Sequence, residues 1–231
     1  MPIPIIIYAG IAAAGAVGAA VAARKWRRSL RIAVLGVNDS GKSTLIDFWR
    51  GEWVEEGRAH TQAKRNFDRI KTVAGDRRFV FRKLADLSGD ESDWAEWKGP
   101  AEASAVVLYL VRAVDLVDEE RAADLHPDGY GPFTKGWERI EDSAGLIRPW
   151  LDGGRAKLCV LTVTWCDQDP RQAELGEDAY RKHLAGQLEP IVLKLGGTGR
   201  VRVVAGSLES PASAGALSDR IMDQIVAWER T

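Results

Sequence analysis

Eight consecutive residues, Gly36-Val37-Asn38-Asp39-Ser40-Gly41-Lys42-Ser43, form the pattern G-x-x-x-x-G-K-S. Glycines let successive backbone N–H groups turn inward around an anion, and the lysine ammonium neutralises part of its charge. The apolar run Leu30–Gly36 predicts a strand buried on both faces, and residues 44–50 have the apolar spacing of a helix. Strand, glycine loop and helix together make a phosphate cradle, because the helix N-terminus adds its own partial positive charge. Gly36, Asn38, Asp39, Ser40, Gly41, Lys42, Ser43 and Thr44 are therefore expected around the phosphates of a nucleotide. Lys42 would reach the β/γ-phosphates, and Ser43 would place its hydroxyl oxygen on Mg²⁺.

Two acidic segments follow at the ends of further expected strands. Strands at 67–73 and 78–85 lead into Asp86-Leu87-Ser88-Gly89, a D-x-x-G. A strand at 157–163 ends in Thr164-Trp165-Cys166-Asp167. The Asp167 carboxylate can accept hydrogen bonds from guanine N1–H and the 2-amino group, which adenine does not offer. Trp165 supplies a flat face on which a base can stack. The plainer alternative makes Trp165 an ordinary core aromatic and Asp167 a helix cap.

These segments, in this order, resemble the motifs of a Ras-superfamily GTPase of the Arf-like branch, over roughly residues 30–231. The resemblance implies a GTP/GDP site with Mg²⁺, in which Asp86 holds the metal through water and the Gly89 N–H meets the γ-phosphate. It also implies a metal-binding threonine in the first switch loop. Thr61 is the choice, with Thr72 as the alternative inside a strand. Ala205-Gly206-Ser207 is similar to the family's last guanine-contacting loop. Trp165 departs from the family's lysine. Asp90 stands where Ras-like and Arf-like enzymes carry the glutamine that orients the attacking water. Arg58, three residues before Thr61, has the spacing of the built-in arginine of heterotrimeric G-protein alpha subunits, so Arg58 and Asp90 are the catalytic candidates.

The first 23 residues carry no charged side chain, and residues 3–23 would span roughly 30 Å as a helix, the thickness of a hydrocarbon core. Arg24-Lys25-Trp26-Arg27-Arg28 follows at once, a basic flank with an interfacial tryptophan. The expected organisation is a transmembrane anchor at 1–23, a basic juxtamembrane flank at 24–28 and a G domain at 29–231. The anchor passes once and leaves the domain in the cytoplasm. Residues 3–28 would meet lipid. Small residues at spacing four, such as Ala14/Gly18 and Gly18/Ala22, offer a homodimer contact. This layout also resembles the beta subunit of the signal-recognition-particle receptor.

Formal net charge is −1, yet residues 24–83 hold 16 Lys/Arg against 7 Asp/Glu. No nucleic-acid-binding module accompanies that basic stretch, so lipid is the expected anionic partner and nucleic acid is not. Cys159 and Cys166 lack metal-ligand spacing and suit a reducing compartment. The expected fold is α/β, a mostly parallel doubly wound sheet with helices on both faces. Its remaining elements are strands at 104–111 and 200–205 and helices at 90–103, 133–151, 175–195 and 214–230, with a loop at 126–132. Ile221, Ile225 and Trp228 would share the buried face of the last helix. Trp49, Trp53, Trp94 and Trp97 fall near the two switch segments, as core or as an aromatic surface for a protein effector. Three functions compete: a slow GTPase switch, a GTP-bound scaffold that does not hydrolyse, and a small-molecule kinase. The placements of Asp86 and Asp167 argue against the kinase.

Overall fold

The computed structural model describes residues 30–53, 65–74, 77–87, 89, 91–116, 136–155 and 158–230. Six strands form one sheet: β1 (Leu30–Gly36), β2 (Arg65–Ala74), β3 (Arg77–Asp86), β4 (Val106–Arg112), β5 (Leu158–Thr164) and β6 (Val201–Ala205). Their order is β2-β3-β1-β4-β5-β6, with β2 antiparallel at one edge and every other pair parallel. The period of two along each strand divides side chains between two cores. In β4, Val107, Tyr109 and Val111 enter one core while Val106, Leu108 and Leu110 enter the other. Such a strand has no face for water, which is why it reads as an unbroken apolar run.

Helices cover both faces. Helix α1 (Lys42–Arg50) and the C-terminal helix α7 (Pro211–Glu229) cover one. The other is covered by α2 (Lys98–Ala103), α3 (Gly136–Gly153), α5 (Glu177–Gln187) and α6 (Glu189–Leu195). A short α4 (Pro170–Leu175) leads into α5. Helix α7 starts on a capping box between Ser210 and Ser213 and buries Ile221 and Ile225, with Trp228 packed beside them. Trp49 of α1 donates its indole N–H to Ser218 Oγ of α7 at 2.8 Å, which fixes these two helices to each other.

Two expected helices are broken. The one at 90–103 is a 3₁₀ segment, Glu91–Trp97, followed by α2. A 3₁₀ turn has three residues, so Trp94 and Trp97 fall on one side, with ring centroids 5.5 Å apart, and both are buried. The helix expected at 175–195 is α5 and α6 in succession, with α4 ending at its first residue, Leu175. Gly176 at φ +74° ends α4, and Pro190 stands at the start of α6, where its missing N–H costs nothing. Trp49 is buried too, whereas Trp53 lies partly exposed, edge-on to Phe48.

The anchor, the basic flank, the small-residue pairs and the 126–132 loop lie outside the described residues. No helix among the described residues is long and apolar enough to cross a membrane.

Candidate nucleotide site

From β1 the chain connects to β2 and β3 on one side, and β4 lies on the other. In open α/β sheets ligands bind at the carboxyl ends of the strands where the order reverses in this way. The G-x-x-x-x-G-K-S loop leaves the carboxyl end of β1 at that point and runs into α1. A Cβ on Gly36 would come within 2.3 Å of the Leu110 carbonyl oxygen, so only glycine lets the loop start so close to β4. Ser40 Oγ donates to Val37 O at 2.8 Å and holds the turn. Lys42 is buried, and its ammonium donates to Gly36 O at 2.9 Å and to Val37 O at 2.8 Å, bracing the loop from within. Ser43 and Thr44 stand partly exposed in the first turn of α1.

Three distant segments close on this loop. Asp86 ends β3 beside Val34 of β1. Gly89 then lies against the loop backbone so tightly that an added Cβ would approach Asn38 N to 2.4 Å and Val37 C to 2.5 Å. Trp94 donates Nε1–H to Gly89 O at 3.2 Å and anchors the D-x-x-G from the core side. From β5, the buried Thr164 hydroxyl is shared between Ser40 O at 2.9 Å and Val111 O at 3.1 Å. Trp165 donates Nε1–H to Asp39 O at 3.0 Å. Asp39 and Trp165 both have left-handed backbone, at φ +58° and +55°. A bulky residue there is an outlier that its surroundings must hold in place.

Asp167 is exposed beyond Trp165, and one carboxylate oxygen accepts a hydrogen bond from Ser207 Oγ. The loops after β5 and β6 are further joined by Gly206 N to Val163 O at 3.0 Å and Cys166 N to Gly206 O at 3.3 Å. Arg220 of α7 supports them by donating to Ala205 O at 2.8 Å. Asp167 therefore has a fixed position and a free oxygen lone-pair direction for a donor pair such as a guanine edge.

Sequence reading missed the polar cluster behind the Trp165–Asp167 loop. Asp169 caps α4 by accepting from the Arg171 backbone N–H at 3.0 Å, and the Arg171 guanidinium chelates the same carboxylate, 2.8 Å at the closest. Tyr180 OH donates to it at 2.9 Å, and Arg171 Nη1 lies 3.0 Å from His183 Nε2. Burial pushes the Asp169 carboxyl up, but the Arg171 guanidinium and backbone N–H and the Tyr180 hydroxyl outweigh it and hold the group below the usual carboxylate range. The signal was available as Asp169-Pro170, a cap followed by proline at the first helical position. Burial pushes the thiols of Cys159 and Cys166 up to about 12, which makes both inert, and both are free.

Thr72, the alternative metal ligand, is buried in β2 opposite Phe79, beyond the start of β1 and far from the loop. Thr61, Arg58, Asp90 and Ser88 lie outside the described residues. The donor set suits Mg²⁺ and a nucleotide together. Among the described residues no three His, Cys, Asp or Glu gather into a metal site, whereas Mg²⁺ is commonly held by one or two protein oxygens plus phosphates. Ser43 stands in the first turn of α1 at the loop, and Asp86 ends β3 beside β1 at the same end of the sheet.

No protein-family model matches the chain, and no curated protein does. Among solved structures it is similar to the Arl6 (BBS3) small GTPase from Trypanosoma brucei with bound nucleotide analogue GppNp. That likeness has a TM-score of 0.52 at 14% identity and covers 85% of this chain and 96% of that one. The chain has the fold of a small GTPase. The small-GTPase fold explains why four segments separated by up to 171 positions, Gly36 to Ser207, meet at one end of one sheet.

Proposed function

We propose that this protein is a membrane-anchored guanine-nucleotide-binding switch with slow GTP hydrolysis. The observation that carries the reading is convergence on one phosphate loop. Gly89 packs on Asn38, Thr164 bonds to Ser40, Trp165 bonds to Asp39, and Asp167 is bridged to Ser207. A phosphate cradle, a base acceptor and a loop able to sense a terminal phosphate share one rim.

In this reading Gly36 to Thr44 hold the phosphates, Ser43, Thr61 and Asp86 serve the Mg²⁺, and Thr164, Trp165, Asp167 and Ser207 select the base. The bound nucleotide and Mg²⁺ would supply the phosphoryl chemistry. GTP orders the loops at Thr61 and Gly89, hydrolysis releases them, and a protein effector reads the difference. Residues 1–23 anchor the domain 29–231 on the cytoplasmic side, in the layout that resembles the signal-recognition-particle receptor beta subunit. A second reading, a GTP-bound scaffold, is favoured by Asp90. An ionised aspartate only accepts hydrogen bonds and is repelled by a γ-phosphate.

Extraction of nucleotide from the purified protein, followed by competition between GTP and ATP, tests the proposal. Lys42→Ala should abolish retention, and Ser43→Asn should remove its Mg²⁺ dependence. Asp167→Ala should cost GTP roughly tenfold or more, one hydrogen bond to a charged group, and leave ATP unchanged. An unaltered GTP/ATP preference in Asp167→Ala would refute the account of base selection. Full-length protein in the soluble fraction after lysis would refute the anchor.

A further inference from the structure

Asp167, the acceptor offered to the base, stands midway between two anchored residues of one turn. Two positions before it, Trp165 bonds to Asp39 O of the phosphate loop. Two positions after it, the buried Asp169 carboxylate has both oxygens engaged. Oδ1 accepts from the Arg171 backbone N–H and from its Nε, each at 3.0 Å. Oδ2 accepts from Arg171 Nη2 at 2.8 Å and from Tyr180 OH at 2.9 Å. The turn itself is closed by Gln168 N–H to Trp165 O at 3.0 Å and Asp169 N–H to Cys166 O at 3.1 Å. Capping α4 needs only the bond from the Arg171 backbone N–H. Burying a carboxylate against a guanidinium adds little net stability, because desolvation offsets the attraction. The further bonds give Asp169 a fixed position.

Helix α5 supports the neighbouring loop as well. Glu177 and Tyr180 of α5 are three positions apart, which puts them on one face of the helix. Tyr180, buried, reaches Asp169. Glu177 accepts from Nη2 of Arg220 in α7, and Arg220 Nη1 donates to Ala205 O at 2.8 Å. The chain then passes through Gly206, where a Cβ would come within 3.4 Å of the same Nη1, to Ser207. The Ser207 hydroxyl donates to Asp167. One turn of α5 therefore holds both halves of the base clamp, the 165–169 turn directly and the 205–207 loop through Arg220. An exposed ion pair such as Glu177–Arg220 adds little energy, so its part is to orient the guanidinium toward Ala205 O.

We propose that Asp169, Tyr180 and Arg220 are positioning residues for guanine selection, which set Asp167 and Ser207 to receive the guanine edge without themselves meeting the base. The proposal rests on the reading of Asp167 as the base acceptor. A recognition group delivers its full energy only when neighbours that are themselves locked hold it within about 0.5 Å of its working place. Adenine lacks the N1–H and 2-amino donors that Asp167 accepts. Displacing the carboxylate therefore weakens guanine nucleotides and leaves adenine nucleotides as they were. The quantity these three residues control is selectivity.

The test measures GDP and ADP affinities of the full chain in detergent, freed of bound nucleotide, by titration calorimetry. The proteins are wild type, Tyr180→Phe, Arg220→Met, Asp167→Ala and the double variant Tyr180→Phe/Asp167→Ala. Tyr180→Phe removes one hydroxyl and keeps the buried ring, and Arg220→Met keeps an apolar stem. Only folded protein binds, so a loss of stability lowers both affinities alike and cancels from their ratio. The expected result is a fall of roughly tenfold in the GDP/ADP affinity ratio for Tyr180→Phe and for Arg220→Met, the scale of one hydrogen bond to a charged group. ADP affinity should stay unchanged. In the Asp167→Ala background Tyr180→Phe should change the ratio no further, because it acts through that carboxylate. The same fall persisting in that background would overturn the positioning role. A fall in only one of the two single variants would keep that residue and strike the other. An unchanged ratio in both, beside a lowered ratio in Asp167→Ala, would overturn the proposal and leave the base-selection reading standing. An unchanged ratio in Asp167→Ala, or no binding by wild type, would overturn both.

Discussion

Trp165 donates its indole N–H to the backbone carbonyl of Asp39 at 3.0 Å, and these are the two non-glycine residues with positive φ among the described residues. Each left-handed residue is held by the other, so the base loop and the phosphate loop are set as one unit. Removing the donor while keeping an aromatic ring separates this bracing from base stacking. Trp165→Phe should lower stability by about 1 kcal/mol, the net worth of one hydrogen bond, and change nucleotide affinity little. Trp165→Ala should in addition weaken guanine-nucleotide binding by about 1–3 kcal/mol, the worth of one base–aromatic stack. Thermal melts and titration with a fluorescent GDP analogue distinguish the two, and equal affinities in both variants would show that no base stacks there.

Trp94 ties the D-x-x-G loop to the core through Gly89 O. Trp94→Phe should preserve most of its buried contact with Trp97 and cost about 1 kcal/mol in stability. Its larger effect is expected on the discrimination between GTP and GDP, because in the proposed reading the Gly89 N–H would meet the terminal phosphate. The ratio of the two affinities in wild type and variant checks this.

Asp169 makes the domain acid-sensitive in a defined direction. Its folded-state pKa is depressed, so its contribution is present above the ordinary carboxylate value and is lost as pH falls through the folded value. Asp169→Asn removes the carboxylate that the buried Arg171 guanidinium chelates, at a cost of about 3 kcal/mol near pH 7. The stability gap between wild type and Asp169→Asn should shrink below pH ~4. Denaturant titrations at pH 7 and pH 3 measure it, and a gap independent of pH would refute the ionic role.

Catalysis is expected to be slow and to depend on Arg58 more than on Asp90. A guanidinium that meets the transition-state charge is worth roughly 10³–10⁵ in rate, whereas an aspartate next to the D-x-x-G glycine cannot donate to the γ-phosphate. Single-turnover hydrolysis by wild type, Arg58→Ala and Asp90→Ala compares them. Equal rates for wild type and Arg58→Ala would remove the arginine from the mechanism. Tight GTP binding without turnover in all three would favour the scaffold.

The phosphate loop and the strands were legible in the sequence because their signals are local. A glycine loop between an apolar run and a helix needs no distant partner to be recognised, and strands buried on both faces announce themselves as apolar runs. The helix ends were less legible. Glu91–Trp97 became a 3₁₀ turn because two tryptophans had to enter one core, and 175–195 broke where Gly176 and Pro190 met tertiary packing. The role of Trp165 depended wholly on the fold. Whether its N–H caps the phosphate loop depends on β5 lying beside β4 so that residue 165 reaches residue 39. The same holds for the Asp169–Arg171–Tyr180 cluster, since the packing of α5 against α4 decides that Tyr180 reaches the Asp169 carboxylate. Sequence determined which chemistry was on offer; long-range pairing, which no local pattern encodes, decided which of those groups meet.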